Sequence, residues 1–192
     1  MTIAIRATSR TLADFLQAAF ESDPDLGTLF ASPGIMRVYL NTPAEMSETR
    51  TGLSVWLYRV TGDESTQNRP PERISPTGTQ PAPLPVRLHY LLAPVTSTHL
   101  DDAPETEQLI FGKALQVLHD HPILSGVDLK DDLEGTQAVV TARLETLAID
   151  ELAQIWDALA TSYRTSVSYE VTVGDGINAP TRREPSPPVP VP

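Results

Sequence analysis

The chain has 192 residues, 40% of them hydrophobic, which suffices for one domain with a real core and is cramped for two. Its 25 acidic residues against 14 basic ones give a formal net charge of −11. A bare phosphate backbone is then a poor partner unless the basic residues gather on one face, and no such gathering is visible, so no nucleic-acid role is expected. The absence of cysteine excludes disulfides, thiolate metal sites and cysteine nucleophiles together.

The start, Met1 to Arg6, lacks the basic start followed by an apolar run of a signal peptide, and no stretch approaches membrane-spanning length. Synthesis in the cytoplasm without direct membrane insertion is the expectation. Thr8 to Glu21 is predicted as the first helix, capped by Thr8, Ser9 or Thr11, with Leu12, Phe15, Leu16, Ala19 and Phe20 on one face. Asp25 to Gly34 reads as a loop, and Ile35 to Leu40 as a strand closed by Asn41-Thr42-Pro43. The next strand, Leu53 to Val60, is apolar on both sides: Leu53, Val55 and Leu57 face one way, Trp56, Tyr58 and Val60 the other. Such a strand belongs in the middle of a sheet covered on both faces.

Thr61 to Pro85 is rich in Pro, Thr, Ser and Gln and separates two strands that would otherwise form a hairpin. A connection this long is functional or disordered. It is read either as a solvated hairpin tip or as an arm laid on a neighbouring subunit, with Pro81, Pro83 and Pro85 favouring an extended, polyproline-like course. Val86 to Ala93 follows as a strand with Val86, Leu88, Tyr90 and Leu92 on its one buried face, broken by Pro94. A helix from Asp101 to His119 has acid in its first turn, Pro104 near its start and an apolar stripe of Leu109, Ile110, Ala114, Val117 and Leu118; Pro122 disfavours its continuation.

Ser125-Gly126 turns the chain, and Val127 to Gly135 is an acidic loop. Ala138 to Glu145 alternates as a strand, and Asp150 opens a helix carrying Leu152, Ile155, Trp156 and Leu159 on one face. In the last strand, Ser166 to Val173, Val167, Tyr169, Val171 and Val173 point one way; Ser166, Ser168, Glu170 and Thr172 point toward water or a polar partner. From Gly174 the composition turns Pro-rich and cannot bury enough apolar surface to fold alone. The elements predict an α+β (mixed α/β) domain: a single twisted, mostly antiparallel sheet flanked by about three helices, its first three strands an antiparallel meander. Residues 1–173 form that domain, with a Pro-rich insertion at 61–85 and a tail at 174–192 that is disordered or ordered only on a partner.

The search for chemistry is mostly negative. GxGxxG, GxxxxGK[ST], HExxH and GxSxG are all missing, which speaks against the common nucleotide, zinc-protease and hydrolase activities. His119-Asp120-His121 is the best metal or acid–base candidate, yet it falls at a helix C-terminus, where His favours the dipole and bonds the last carbonyls. His89 reads as an ordinary strand residue. Asp101-Asp102 and Asp131-Asp132-Glu134 lack the spacing and turn glycine of a calcium loop, and Trp56 and Trp156 read as core. No catalytic residue, metal or cofactor is assigned.

Several separate segments carry a resemblance. Leu53 to Val60, Pro81 to Pro94, Leu118 to Leu124, Glu151 to Leu159 and Tyr163 to Val171 resemble, in this order, a family encoded with phage-tail-like contractile injection systems, whose members cap the tube and sheath. The resemblance implies a sheet flanked by helices, a hexameric ring, tube and sheath proteins as partners, and a particle released from the cell after cytoplasmic assembly. It implies a passive structural role rather than catalysis: the end of a growing polymer is bound and further addition stops. Candidate partner contacts are Arg69, Pro70, Arg73, Pro81, Pro83 and Pro85 in the insertion, Tyr169 and Val171 on the last strand, and Arg182 and Arg183 in the tail. The last strand is read as a sheet edge open to β-augmentation. The alternative reading is a monomeric module that binds an extended or Pro-rich peptide, and a third is a small enzyme built on His119 and His121.

Overall fold

The computed structural model describes residues 2–32, 34–46, 50–63, 72–75, 78–80, 85–97 and 103–174; residues 2–3 and the strands within 72–80 are described as backbone only. Four helices, α1 (Thr2–Glu21), α2 (Gly27–Phe30), α3 (Ala103–Asp120) and α4 (Ile149–Ala158), accompany eight strands. These are β1 (Met36–Tyr39), β2 (Thr51–Gly62), β3 (Glu72–Ser75), β4 (Gly78–Gln80), β5 (Val86–Val95), β6 (Ile123–Ser125), β7 (Val139–Glu145) and β8 (Val167–Val173). Six of them form one sheet in the order β1-β2-β5-β8-β7-β6, while β3 and β4 pair as a separate hairpin inside the Pro-rich insertion. The fold is α+β, as the pattern of elements predicts.

One face of the sheet holds the main core. Leu53 and Val55 of β2, Leu88, Tyr90 and Leu92 of β5, Val140 and Ala142 of β7, and Tyr169, Val171 and Val173 of β8 alternate onto it. α1 supplies Leu12, Leu16 and Phe20, and α3 supplies Ile110, Ala114, Val117 and Leu118, the stripe predicted except for Leu109, which is exposed. Lys113 of α3 pairs with Asp23 at 2.8 Å and, as the leading cause, holds that carboxyl below its ordinary value.

α1 begins earlier than predicted, so Thr8, Ser9 and Thr11 lie inside the helix and do not cap it. Thr8 and Ser9 donate back to the carbonyls of Ala4 and Ile5, Ser9 also bonds the Tyr90 hydroxyl at 2.8 Å, and Thr11 accepts the Lys130 amide. The loop predicted at Asp25–Gly34 contains α2, and the turn just before it is tied down by Asp23 accepting the amides of Asp25 and Leu26.

The sheet corrects four expectations. β1 and β2 are parallel, so the first strands do not form an antiparallel meander; residues 40–50 return the chain to pair Met36 with Thr51. Gly52, at φ +135°, makes this close pairing possible, since a Cβ there would sit 2.0 Å from the Arg37 carbonyl oxygen. β8 lies between β5 and β7 and is no edge; the edges are β1 and the three-residue β6, which apolar periodicity is too short to reveal. Pro94 does not break its strand: β8 pairs with β5 only as far as Leu92, leaving Pro94 a single neighbour, the edge-like setting that proline tolerates. β5 is buried on both faces, with His89, Leu91 and Ala93 as covered as Leu88 and Tyr90.

Candidate functional site

The second face of the sheet carries the polar chemistry. The register between β2 and β5 slips between Leu57, which pairs with Tyr90, and Arg59, which pairs with His89. Strict alternation would put Tyr58 and Arg59 on opposite faces, but this bulge lets both side chains reach the second one. It also returns Val60 to the row of Leu88, on the side opposite the one its sequence spacing predicts.

Around that bulge the side chains close a network. His89 is only 3% exposed; its Nδ1 lies 3.0 Å from Glu145 Oε2 and its Nε2 3.0 Å from Thr61 Oγ1. Ser168 donates to Glu145 at 2.6 Å and shares a 3.0 Å bond with the Tyr58 hydroxyl, while Arg59 pairs with Glu145 at 3.2 Å. Burial opposes the charge on Glu145, but the bonds from Ser168 and His89, with the charges of His89 and Arg59, outweigh it and hold the carboxyl below its ordinary value. Burial pushes the Tyr58 phenol up, as it does Tyr90, which reaches about 12.

Beside it a further polar row runs across the sheet, Thr141, Thr172, Arg87 and Thr61. Arg87 there bridges Asp63 at 2.9 Å and Glu170 at 3.1 Å. His89, read from the sequence as an ordinary strand residue, is thus the hub of the network. The available signal was its place, three residues after Val86, in a strand too apolar to leave either face in water.

α4 covers only part of this face. Trp156, Leu152, Ile155 and Leu159 pack on Leu91, Ala93, Trp56 and Tyr58, and the Trp156 indole donates to Ser166 at 3.0 Å. Glu151 accepts the Ala148 amide at 2.9 Å and so caps the helix. Between α4 and β2 an open groove of about 360 Å³ has Trp56 and Tyr58 as its floor, their rings 6.1 Å apart, and Leu147, Ile155, Glu151 and Arg59 around them. Trp156 is core, as predicted, whereas Trp56 is half-buried and faces the groove.

The two edges of the sheet differ. At β1, the Gln17 side-chain Oε1 accepts the Val38 amide at 2.8 Å, so α1 takes up one donor of that edge strand. At the other, β6 pairs only with Val139–Thr141, and Ile123, Val127 and Leu144 stand 58, 90 and 58% exposed. Ile123 and Leu144 lie on different faces there, Ile123 beside Thr141 on the second and Leu144 in line with Val140 and Ala142 on the first.

The predicted contact residues are scattered by the fold. Tyr169 and Val171 are buried in the main core at 4% and 0% exposure, because β8 is interior. Pro85 closes the base of the insertion, its carbonyl accepting the Asp63 amide, and Arg73 lies in β3, opposite Thr79. Arg69, Pro70, Pro81, Pro83, Arg182 and Arg183 lie outside the described residues, as do His99, Asp101 and Asp102. His121 ends α3, donating its amide to Val117 and setting its ring edge-on to Phe15, and His119 is exposed. Asp131 pairs with Arg6 and Arg10. Among the described residues, no group of three or more His, Asp or Glu is placed to hold a metal ion, and no helix is long and apolar enough to cross a membrane.

The described features are thus an α+β scaffold, exposed apolar side chains near the β6 edge and an aromatic groove beside α4. The chain belongs to the family of the Pvc16 N-terminal domain, whose family model matches residues 7–189, and the resemblance carried by the separate sequence segments is borne out at that level. In fold it is similar to a chain in the cryo-EM structure of an extracellular contractile injection system, described as the PVC sheath/tube terminator in extended state. The TM-score is 0.60 and the identity 17% over 97% of this chain and 61% of that one. The chain therefore spans less than two thirds of that relative. A looser likeness joins it to the anti-feeding prophage cap (AFP tube terminating cap), with TM-score 0.46 and 19% identity over 71% of this chain and 48% of the other. No curated protein matches the chain in sequence.

Proposed function

We propose that the protein is a structural cap that terminates the tube and sheath of a contractile, phage-tail-like injection particle, acting by surface complementarity and not by catalysis. The family match over residues 7–189 carries this reading. The fold shared with the PVC sheath/tube terminator supports it. The exposed apolar side chains near the β6 edge, Ile123, Val127 and Leu144, are its candidate contacts with a neighbouring subunit or a tube protein.

In this reading residues 1–173 form the capping domain, the insertion at 61–85 is an arm onto a neighbour, and copies close into a ring of six by heterologous contacts. Assembly takes place in the cytoplasm, and the protein leaves the cell as part of the particle. The His89 network is then a rigid buried strut: both ring nitrogens are engaged by the protein's own groups. The test is the solution mass of the purified protein by light scattering across concentrations, alone and with the inner tube protein of such a particle. A sixfold species, or a monomer that associates with tube ends, is expected. A monomer indifferent to the tube protein overturns the cap.

A further inference from the structure

The groove between α4 and β2 has a floor of two aromatic rings, Trp56 and Tyr58, apolar walls at Leu147 and Ile155, and a carboxylate, Glu151, at its rim. Adjacent aromatic rings forming an open, shallow trough are what an extended proline-rich segment needs. Such a segment loses little entropy on binding and sets its rings between aromatic ridges. The chain itself carries one: Arg182-Arg183-Glu184-Pro185-Ser186-Pro187-Pro188-Val189-Pro190, a basic pair followed by alternating prolines. We propose that this segment occupies the groove of its own chain, with the prolines on Trp56 and Tyr58 and the arginine pair toward Glu151.

The reach allows it. The description of the chain stops at Gly174, whose amide bonds the Val139 carbonyl just beyond β8. Ser168, six residues back along β8, pairs with Leu91, and Leu91 pairs with Trp56, so the groove floor is two strands across from that point. Strand rise and spacing put this at about 22 Å from Gly174. Eight extended residues span up to roughly 28 Å, which brings Arg182 to the rim and the prolines over the floor. The path crosses the half of the second face that carries Thr172, Glu170 and Arg87, which α4 does not cover. Charge agrees as well: a doubly basic segment in a chain of net charge −11 meets a rim bearing Glu151, while Arg59, the cation of the same lining, is already paired with Glu145. This inference stands apart from the capping role, since a cap and a non-cap could equally hold their own segment there.

The chain has no cysteine, so Ser186→Cys gives the full-length protein a single site for a nitroxide label, far from the folded core in sequence. Amide signals of Gln154, Ile155 and Ala158 and the Trp56 indole signal are expected to broaden, to the same extent at every protein concentration. Glu151→Lys, or Pro187→Ala with Pro188→Ala, is expected to restore them. Broadening that fades on dilution means that the segment sits on a second copy, and it overturns occupancy within the chain. Unbroadened groove signals overturn the proposal outright.

Discussion

The two faces of the sheet are built on different principles. The first is a continuous apolar layer in which α1 and α3 meet alternate residues of β2, β5, β7 and β8, with Ser9 and Tyr90 bonded within it. The second pairs a small apolar patch under α4 with a polar network whose members come from four separate stretches of chain, Tyr58 to Thr61, His89, Glu145 and Ser168. Burial area stabilises the first, so damage there scales with volume removed. Mutual satisfaction stabilises the second, so damage there depends on which partner is left alone.

The largest effect is expected on the first face. Phe20 is fully buried, edge-on to Phe30 at 4.8 Å, and Phe20→Ala removes that pair and leaves a cavity under α1. A loss of about 3–5 kcal/mol is expected from urea unfolding, with the slope unchanged. Next comes Gly52→Ala, which adds little volume but drives a methyl into the Arg37 carbonyl and demands a left-handed backbone of alanine. The expected cost is about 1–3 kcal/mol, with amide exchange accelerating first in β1. If Gly52→Ala costs nothing, the parallel β1–β2 pairing is wrong.

This contrast explains what was legible in the sequence. Periodicity announces a face only when polar and apolar residues alternate, so the first face, with Leu53, Val55, Leu88 and Tyr90, could be read residue by residue. The parity of β2 could not be carried past the bulge at Tyr58, and Val60 was assigned to the wrong side. His89 and Glu145 are 56 residues apart and neither sits in a motif; only the strand order brings them to 3.0 Å. Tyr169 and Val171 looked like an edge because the last strand in sequence is easily taken for the last in space. Strand order rests on pairings of high sequence separation, which local patterns do not encode. The groove was equally hidden, since Trp56 shows the same apolar neighbours whether it faces a core or a trough.

On the second face, Glu145→Gln keeps the shape of the side chain and removes its charge, leaving His89 and Arg59 without their carboxylate. About 1–3 kcal/mol should be lost at neutral pH. The pH dependence separates this from a volume effect. The Glu145 carboxyl lies below its ordinary value in the folded protein, so its contribution is fully present above the ordinary carboxylate range and is lost as pH falls through the folded value. Wild type should therefore lose more stability than Glu145→Gln on acidification, and the two unfolding curves should converge. Parallel curves at every pH would show that the network stabilises by shape alone.

The smallest effect on the fold is expected where the first face runs out. Leu144 follows Val140 and Ala142 on that face and pairs with Tyr169, yet it stands 58% exposed because β6 ends before reaching it. Leu144→Lys should change unfolding by no more than about 0.5 kcal/mol, the range of ordinary surface substitutions. If this margin is where a neighbour packs, the same change places a charge in an apolar contact and should abolish the concentration-dependent rise in mass, while Leu109→Lys, an equally apolar exposed residue on α3, leaves it intact. A Leu144→Lys protein that unfolds normally and still assembles would reduce the apolar margin to spill-over from the core, and would shift the search for the subunit contact to the insertion between β2 and β5.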